Sequence, residues 1–200
     1  MEKIAELRFP VRQISPAQFH SISLSVHPAG PIAVVSRPDD YEDDDIPGDP
    51  GGTVLCLEDV QDPGNVGTLV RSAAAFDISG IVFSGKCADI FSPKAVQSAC
   101  GSLVAMWLRR TPAFQATLES LKKKGFRIVA ADVRGSDAGK KINKGKKTAL
   151  VLGSEGAGLS DETLRLADER YRIPFNDTKA QSLNVAISGA ILMFLLNSRP

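Results

Sequence analysis

Cysteine is scarce in this 200-residue chain, histidine is scarcer, and aromatic residues make up only 6% of it. Cys56, Cys87 and Cys100 include no C-x-x-C pair and are odd in number. That excludes a disulfide framework, and His20 and His27 are too few to complete a zinc site. Buried or idle thiols in a reducing compartment are expected. A long apolar run is also lacking. The opening MEKIAELRFPVRQ has no apolar core of signal-peptide length. The greasiest stretch, Leu183 to Leu196, is interrupted by Asn184, Ser188 and Gly189, and it falls short of the roughly 20 residues a bilayer span needs. The expectation is a cytoplasmic protein with no membrane association. Net charge is nearly absent too, at +1, so overall charge points to no partner.

Composition is that of a globular domain, with 43% hydrophobic and 24% charged residues. It excludes a disordered chain, collagen and coiled coil. The near-neutral total hides two patches. Between Asp39 and Pro50 stand seven acids and no Lys or Arg, and without them the chain carries 24 basic and 16 acidic residues. A stretch this acidic reads as a solvated loop or linker. Residues 121–147 hold ten Lys and Arg against Asp132 and Asp137. They read either as a solvated face or as a phosphate-contacting one.

From Thr53 onward short apolar runs alternate with helical patterns. Strands are expected at 53–58, 79–84, 104–108, 126–133, 148–153 and 171–175. Helices are expected at 65–76, 93–103, 114–124, 160–168 and 182–196, with Gly125 stopping the third and Ser160 capping the fourth. The strands are apolar throughout rather than alternating, the pattern of an α/β fold whose parallel sheet is covered on both faces. Residues 1–50 are read as an N-terminal extension with an acidic linker, and 51–200 as the main domain.

Three segments that follow strands carry turn and ligand chemistry. In DPGNVGTLVR, Asp62–Pro63–Gly64 is a turn, Asn65 opens a helix either as its cap or as a functional group, and Arg71 needs an anion or an exit to solvent. In LGSEGAGLS, Gly153, Gly156 and Gly158 surround Glu155, either as a plain turn or as a backbone a ligand can approach. The spacing fits neither a dinucleotide fingerprint nor a phosphate loop. In IPFNDTKAQSLNVA, Ser182 and Asn184 head an apolar helix, as caps or as ligand-facing donors.

Taken together and in this order, the three segments resemble the motifs of the SpoU/TrmH family of RNA ribose 2′-O-methyltransferases, within the SPOUT superfamily. The family pattern is Asp-Pro-x-Asn-x-Gly…Arg, then Leu-Gly-x-Glu-x-x-Gly, then Ile-Pro…Ser-Leu-Asn-Val. The resemblance covers about residues 53–197. It implies a parallel-sheet fold whose C-terminal portion threads a trefoil knot, S-adenosyl-L-methionine as cofactor, and a homodimer that completes each active site. It further implies catalytic roles for Asn65, Arg71, Glu155, Ser182 and Asn184, with backbone near Gly153, Ile173 and Leu183 holding the cofactor and no metal taking part.

Ribosomal RNA is the expected substrate. The alternatives are transfer RNA, or a non-catalytic RNA- or cofactor-binding protein on the same fold. A guanidinium essentially never deprotonates in a protein, so Arg71 suits a phosphate clamp better than a general base. Two departures stand out. FNDTKAQ is longer and less glycine-rich than the family pattern at that place. Residues 16–38 resemble only the end of the RNA-binding domain that precedes the catalytic one in many ribosomal-RNA members, so the chain is expected to be a fragment or to capture RNA differently.

Overall fold

The computed structural model describes residues 10–23, 30–43, 45–138 and 147–197. The chain divides into two compact units, 1–37 and 38–200. In the first, helix α1 (Pro16–Ile22) starts from a capping box. Ser15 Oγ accepts from the Gln18 N–H at 3.3 Å, and Gln18 Oε1 accepts from the Ser15 N–H at 2.9 Å. None of its residues is buried. The apolar run Pro31–Val35 forms neither helix nor strand.

The second unit contains β1 (Thr53–Leu57), α2 (Pro63–Ala75), β2 (Gly80–Ser84), α3 (Pro93–Ala99), β3 (Trp107–Thr111), α4 (Phe114–Lys123), β4 (Arg127–Asp137), β5 (Thr148–Leu152), α5 (Asp161–Leu166), β6 (Glu169–Arg172) and α6 (Val185–Asn197). Six strands form one parallel sheet in the order β3-β2-β1-β5-β4-β6. Every residue of β1, β2 and β5 is buried, because side chains alternate between two covered faces. On β1 and β5, Leu55, Leu57, Leu150 and Leu152 join one core with α2, α3 and α6. Val54, Cys56, Ala149 and Val151 join the other, with Phe114, Leu118 and Leu121 of α4. The expected α/β parallel sheet is the fold observed.

Local chemistry explains most boundaries. Gly125 has φ 84° and follows α4 as the expected stop, and Ser160 Oγ accepts from the Thr163 N–H at 3.2 Å to cap α5. Several boundaries differ from expectation, among them three beyond the central strands. The helix begun at Pro93 ends at Ala99, because Cys100 and Gly101 both take positive φ; a single 3₁₀ turn follows and β3 starts at Trp107, three residues late. Strand β6 is Glu169–Arg172, displaced toward the N-terminus, where Arg127 of β4 pairs Glu169 at 2.5 Å. Helix α6 begins at Val185, with Ser182 and Leu183 outside it.

The acidic segment is the larger correction, because part of it is built into the unit rather than solvated. Tyr41 is buried, with its ring 4.9 Å from Phe91 and 6.3 Å from Phe83, and Ile46 is buried in the α4-side core. Edge strand β3 supplies the anchors. Arg110 N–H donates to the Tyr41 carbonyl at 2.6 Å and Trp107 Nε1 to the Pro50 carbonyl at 3.2 Å. The nearly buried Arg109 pairs with Asp40 at 2.6 Å and donates to the Asp45 carbonyl at 3.1 Å. Two apolar anchors and a buried guanidinium overcome the acidity, and the segment covers an edge that would otherwise expose unpaired backbone.

Candidate functional site at the ends of the central strands

Leu57 of β1 lies in register with Leu152 of β5, and the Glu58 N–H continues the ladder to the Leu152 carbonyl at 2.8 Å. The connections after both strands therefore leave from the same level. The first leads to α2 on one face and the second to α5 on the other, which opens the crevice where α/β proteins hold ligands.

Helix α2 starts earlier than expected. Asp62, not Asn65, is its cap: Asp62 Oδ1 accepts from the Asn65 N–H at 2.9 Å and Pro63 opens the first turn. Lys94 pairs with Asp62 at 2.7 Å, and together with the Asn65 N–H it holds the Asp62 carboxyl below the usual carboxylate range. With the cap supplied by Asp62, the Asn65 side chain is freed. Asn65 Nδ2 donates to Glu155 Oε1, and Asn65 Oδ1 accepts from Asn184 Nδ2 at 3.1 Å. Asn184 has a second task, since its Oδ1 accepts from the Ala186 and Ile187 N–H groups at 2.9 and 3.3 Å and so caps α6. Three residues from the three segments, 65, 155 and 184, thus form one hydrogen-bonded chain.

The loop after β5 closes on itself through paired bonds between Ser154 and Gly158, at 3.2 and 3.0 Å. A Cβ on Gly153 would meet the Gly158 carbonyl carbon at 2.2 Å, so glycine is required there by the loop itself rather than by a ligand. Beside this loop lies a cleft of about 310 Å³. Leu152, Leu159 and Leu183 give it apolar wall, and Glu155, Ser182 and Asp132 contribute polar groups. Of the three residues assigned to the cofactor, Gly153 and Leu183 line this cleft, whereas Ile173 packs against the larger core. Helix α6 forms the near wall because Gly189 lets it approach closely: a Cβ there would meet Leu69 of α2 at 2.4 Å and Leu152 of β5 at 2.7 Å.

Arg71 stands apart from the 65–155–184 chain. It is exposed, its one recorded contact is Nη1 to Cys100 Sγ at 3.4 Å, and among the described residues no carboxylate pairs with it. Of the three thiols Cys56 and Cys87 are buried, which raises both above the usual range. Sequence reasoning missed Asp132 and Arg134, two cleft residues on β4. They stood inside a stretch whose candidate role was read from its positive charge.

The SpoU rRNA Methylase family model matches residues 52–194. The chain belongs to this family. Among its relatives, an uncharacterized tRNA/rRNA methyltransferase of Synechocystis is 34% identical over 70% of this chain and 51% of its own length. The 23S rRNA (guanosine-2′-O)-methyltransferase RlmP of Bacillus subtilis is 33% identical over 72% of this chain and 57% of its own. The chain thus spans little more than half the length of these curated relatives. Two methyltransferase crystal structures described as AdoMet complexes, the first of them a SpoU methyltransferase, share the fold. AviRb of Streptomyces viridochromogenes superposes with a TM-score of 0.83 at 27% identity, over 97% of this chain and 75% of that one. An rRNA methyltransferase of Sinorhizobium meliloti superposes with a TM-score of 0.68 at 36% identity, over 76% of this chain and 58% of that one.

Proposed function

We propose that this SpoU-family chain is an S-adenosylmethionine-dependent methyltransferase that acts on a ribose 2′-hydroxyl of RNA, with ribosomal RNA as substrate. The observation that carries the reading is the Asn65–Glu155–Asn184 chain, which joins all three segments at a cleft of nucleoside-ligand size. The cleft suits the cofactor chemically. Its leucine walls fit an apolar ring, and the Glu155 carboxylate at its rim complements a sulfonium cation. When bound, that group supplies an already activated methyl and needs no metal.

The protein's work is alignment and electrostatics. Asn65, itself held by Asn184, fixes the Glu155 carboxylate. Ser182 offers a hydroxyl to the cleft. Arg71, exposed and without an acid, is free to clamp an RNA phosphate beside the target ribose. Backbone at Gly153 and Leu183 borders the cofactor position.

The assembly proposed is a homodimer in the cytoplasm, with the C-terminal portion of the fold threading the trefoil knot. Ile187 and Phe194 are more than half exposed on the apolar α6, which supports an interface along that helix. Among the described residues, no helix is long and apolar enough to cross a membrane.

Labelled S-adenosylmethionine incubated with total RNA tests the reading. Label is expected on ribosomal RNA at a ribose. Label on transfer RNA instead would move the substrate. No label, with S-adenosylhomocysteine still bound, would leave a cofactor-binding protein without this activity.

A further inference from the structure

Asp132 is the one buried carboxylate that lines the cleft. Its side chain is 7% exposed, and its two oxygens are treated differently. Oδ1 accepts from the Arg134 N–H at 2.9 Å and from Arg134 Nε at 3.4 Å. Oδ2 is sealed from solvent and, among the described residues, accepts no hydrogen bond; the cation beside it is Arg170 Nη1, 3.8 Å away. A buried acceptor without a donor is costly and calls for an explanation. Arg134, whose side chain is 72% exposed, meets Oδ1 rather than Oδ2, and only the long 3.4 Å contact ties its guanidinium there. The guanidinium beside Oδ2 belongs to Arg170, whose side chain is 43% exposed.

Position and charge together narrow the donor. Asp132 is on β4, Glu155 follows β5, and Asn65 follows β1, in the order β1-β5-β4 across the sheet. Asp132 is therefore on the far side of the cleft from the Asn65–Glu155–Asn184 chain, away from where transfer would occur. Two guanidiniums already attend this single carboxylate. An ammonium would be a third cation beside one anion, whereas a neutral donor adds no charge.

We propose that Asp132 is a positioning residue whose Oδ2 accepts a hydrogen bond from a neutral donor on the nucleoside half of the bound cofactor. This rests on the S-adenosylmethionine reading above.

Calorimetry on the whole chain tests it with S-adenosylhomocysteine and with methylthioadenosine, which lacks the amino-acid portion. In Asp132→Asn an amide oxygen can still serve the Arg134 N–H, which places a donor where Oδ2 was. Both ligands should then weaken by about tenfold or more, and by similar factors. The melting temperature should stay near that of the wild type. Unchanged affinity for both ligands overturns the assignment, and so does a loss confined to S-adenosylhomocysteine, which would point to the ammonium.

A second measurement needs no variant. Wild-type affinity for methylthioadenosine is compared with that for its 2′-deoxy, 3′-deoxy and inosine counterparts. One of the three should lose about tenfold, which identifies the donor; if none does, the assignment fails. Failure of the wild type to bind S-adenosylhomocysteine at all would defeat the cofactor reading itself.

Discussion

Two glutamates stand close to one level of the sheet and have opposite surroundings. Glu58 follows β1 and is buried, with hydrogen bonds to both carboxylate oxygens. It accepts from the Ser160 N–H at 3.0 Å, Ser160 Oγ at 2.7 Å, Thr163 Oγ1 at 3.0 Å and Gln115 Nε2 at 3.1 Å. It ties β1 to the first turn of α5 and to α4. Glu155, three residues beyond β5, is exposed and takes one amide hydrogen bond, from Asn65. A buried carboxylate with four donors around it holds a fold together. One held from a single side keeps capacity for a ligand or a reacting group.

Replacing Glu58 should break that comparison most severely. Glu58→Ala leaves two hydroxyls, an amide and an N–H without their shared acceptor in a buried place, at a cost on the order of 3 kcal/mol. Thermal or urea unfolding should show a clear loss, and a variant as stable as the wild type would mean that water or rotamer changes replace the network.

Arg71→Ala should do the reverse. The single-turnover rate of methyl transfer is expected to fall by about a hundredfold or more, equivalent to roughly 2.7 kcal/mol. S-adenosylhomocysteine affinity and melting temperature should barely move, because among the described residues the side chain's one hydrogen bond is to Cys100. Arg71→Lys should fail as well, since the planar fork is lost. A rate within a few-fold of wild type removes Arg71 from the reaction.

Acid titration sharpens the same contrast with a smaller effect. Burial alone would raise the Asp168 carboxyl, but hydrogen bonds from Lys122 Nζ and the Ile128 N–H outweigh it and hold that carboxyl below its ordinary range. A lowered carboxyl stabilises the fold above the ordinary Asp value, near pH 4, and that contribution disappears as pH falls through the folded value. With a side chain about one-third exposed, the contribution should be under about 1 kcal/mol. Asp168→Asn should flatten this part of the stability–pH curve, which denaturant titration between pH 5 and 2 (about the carboxylate range) would measure.

The smallest stability change should come from Lys123 and Lys124. Their side chains form no ion pair among the described residues, unlike neighbouring Lys122 with Asp168. Removing both charges should leave the melting temperature unchanged and weaken RNA binding with a shallower salt dependence. Salt titration of RNA binding would check it, and an unaltered slope would place the RNA elsewhere.

Much of the site was legible because glycine, proline and capping residues act locally. DPGN announced a turn before a helix, and the loop 153–158 announced a tight return. What the local pattern could not settle was which residue capped and which was left to act. Asp62 took the cap and Asn65 was freed, a choice that depends on where Glu155 and Asn184 arrive from 90 and 119 residues away. The acidic segment misled for a related reason. Its charge count ignored Tyr41 and Ile46, whose burial required a face and an edge strand not yet in view.

By itself, then, the sequence determined the strand–helix alternation, the doubly covered sheet and the three segments that follow strands, because these rest on periodicity and on residue-specific backbone preferences. Only the tertiary structure decided the sheet order, the 65–155–184 chain, the anchoring of Asp40, Tyr41, Asp45 and Pro50 to β3 and the surroundings of Asp132 Oδ2. Each of these depends on which distant groups come within a few ångströms, and on whether water is kept out when they do.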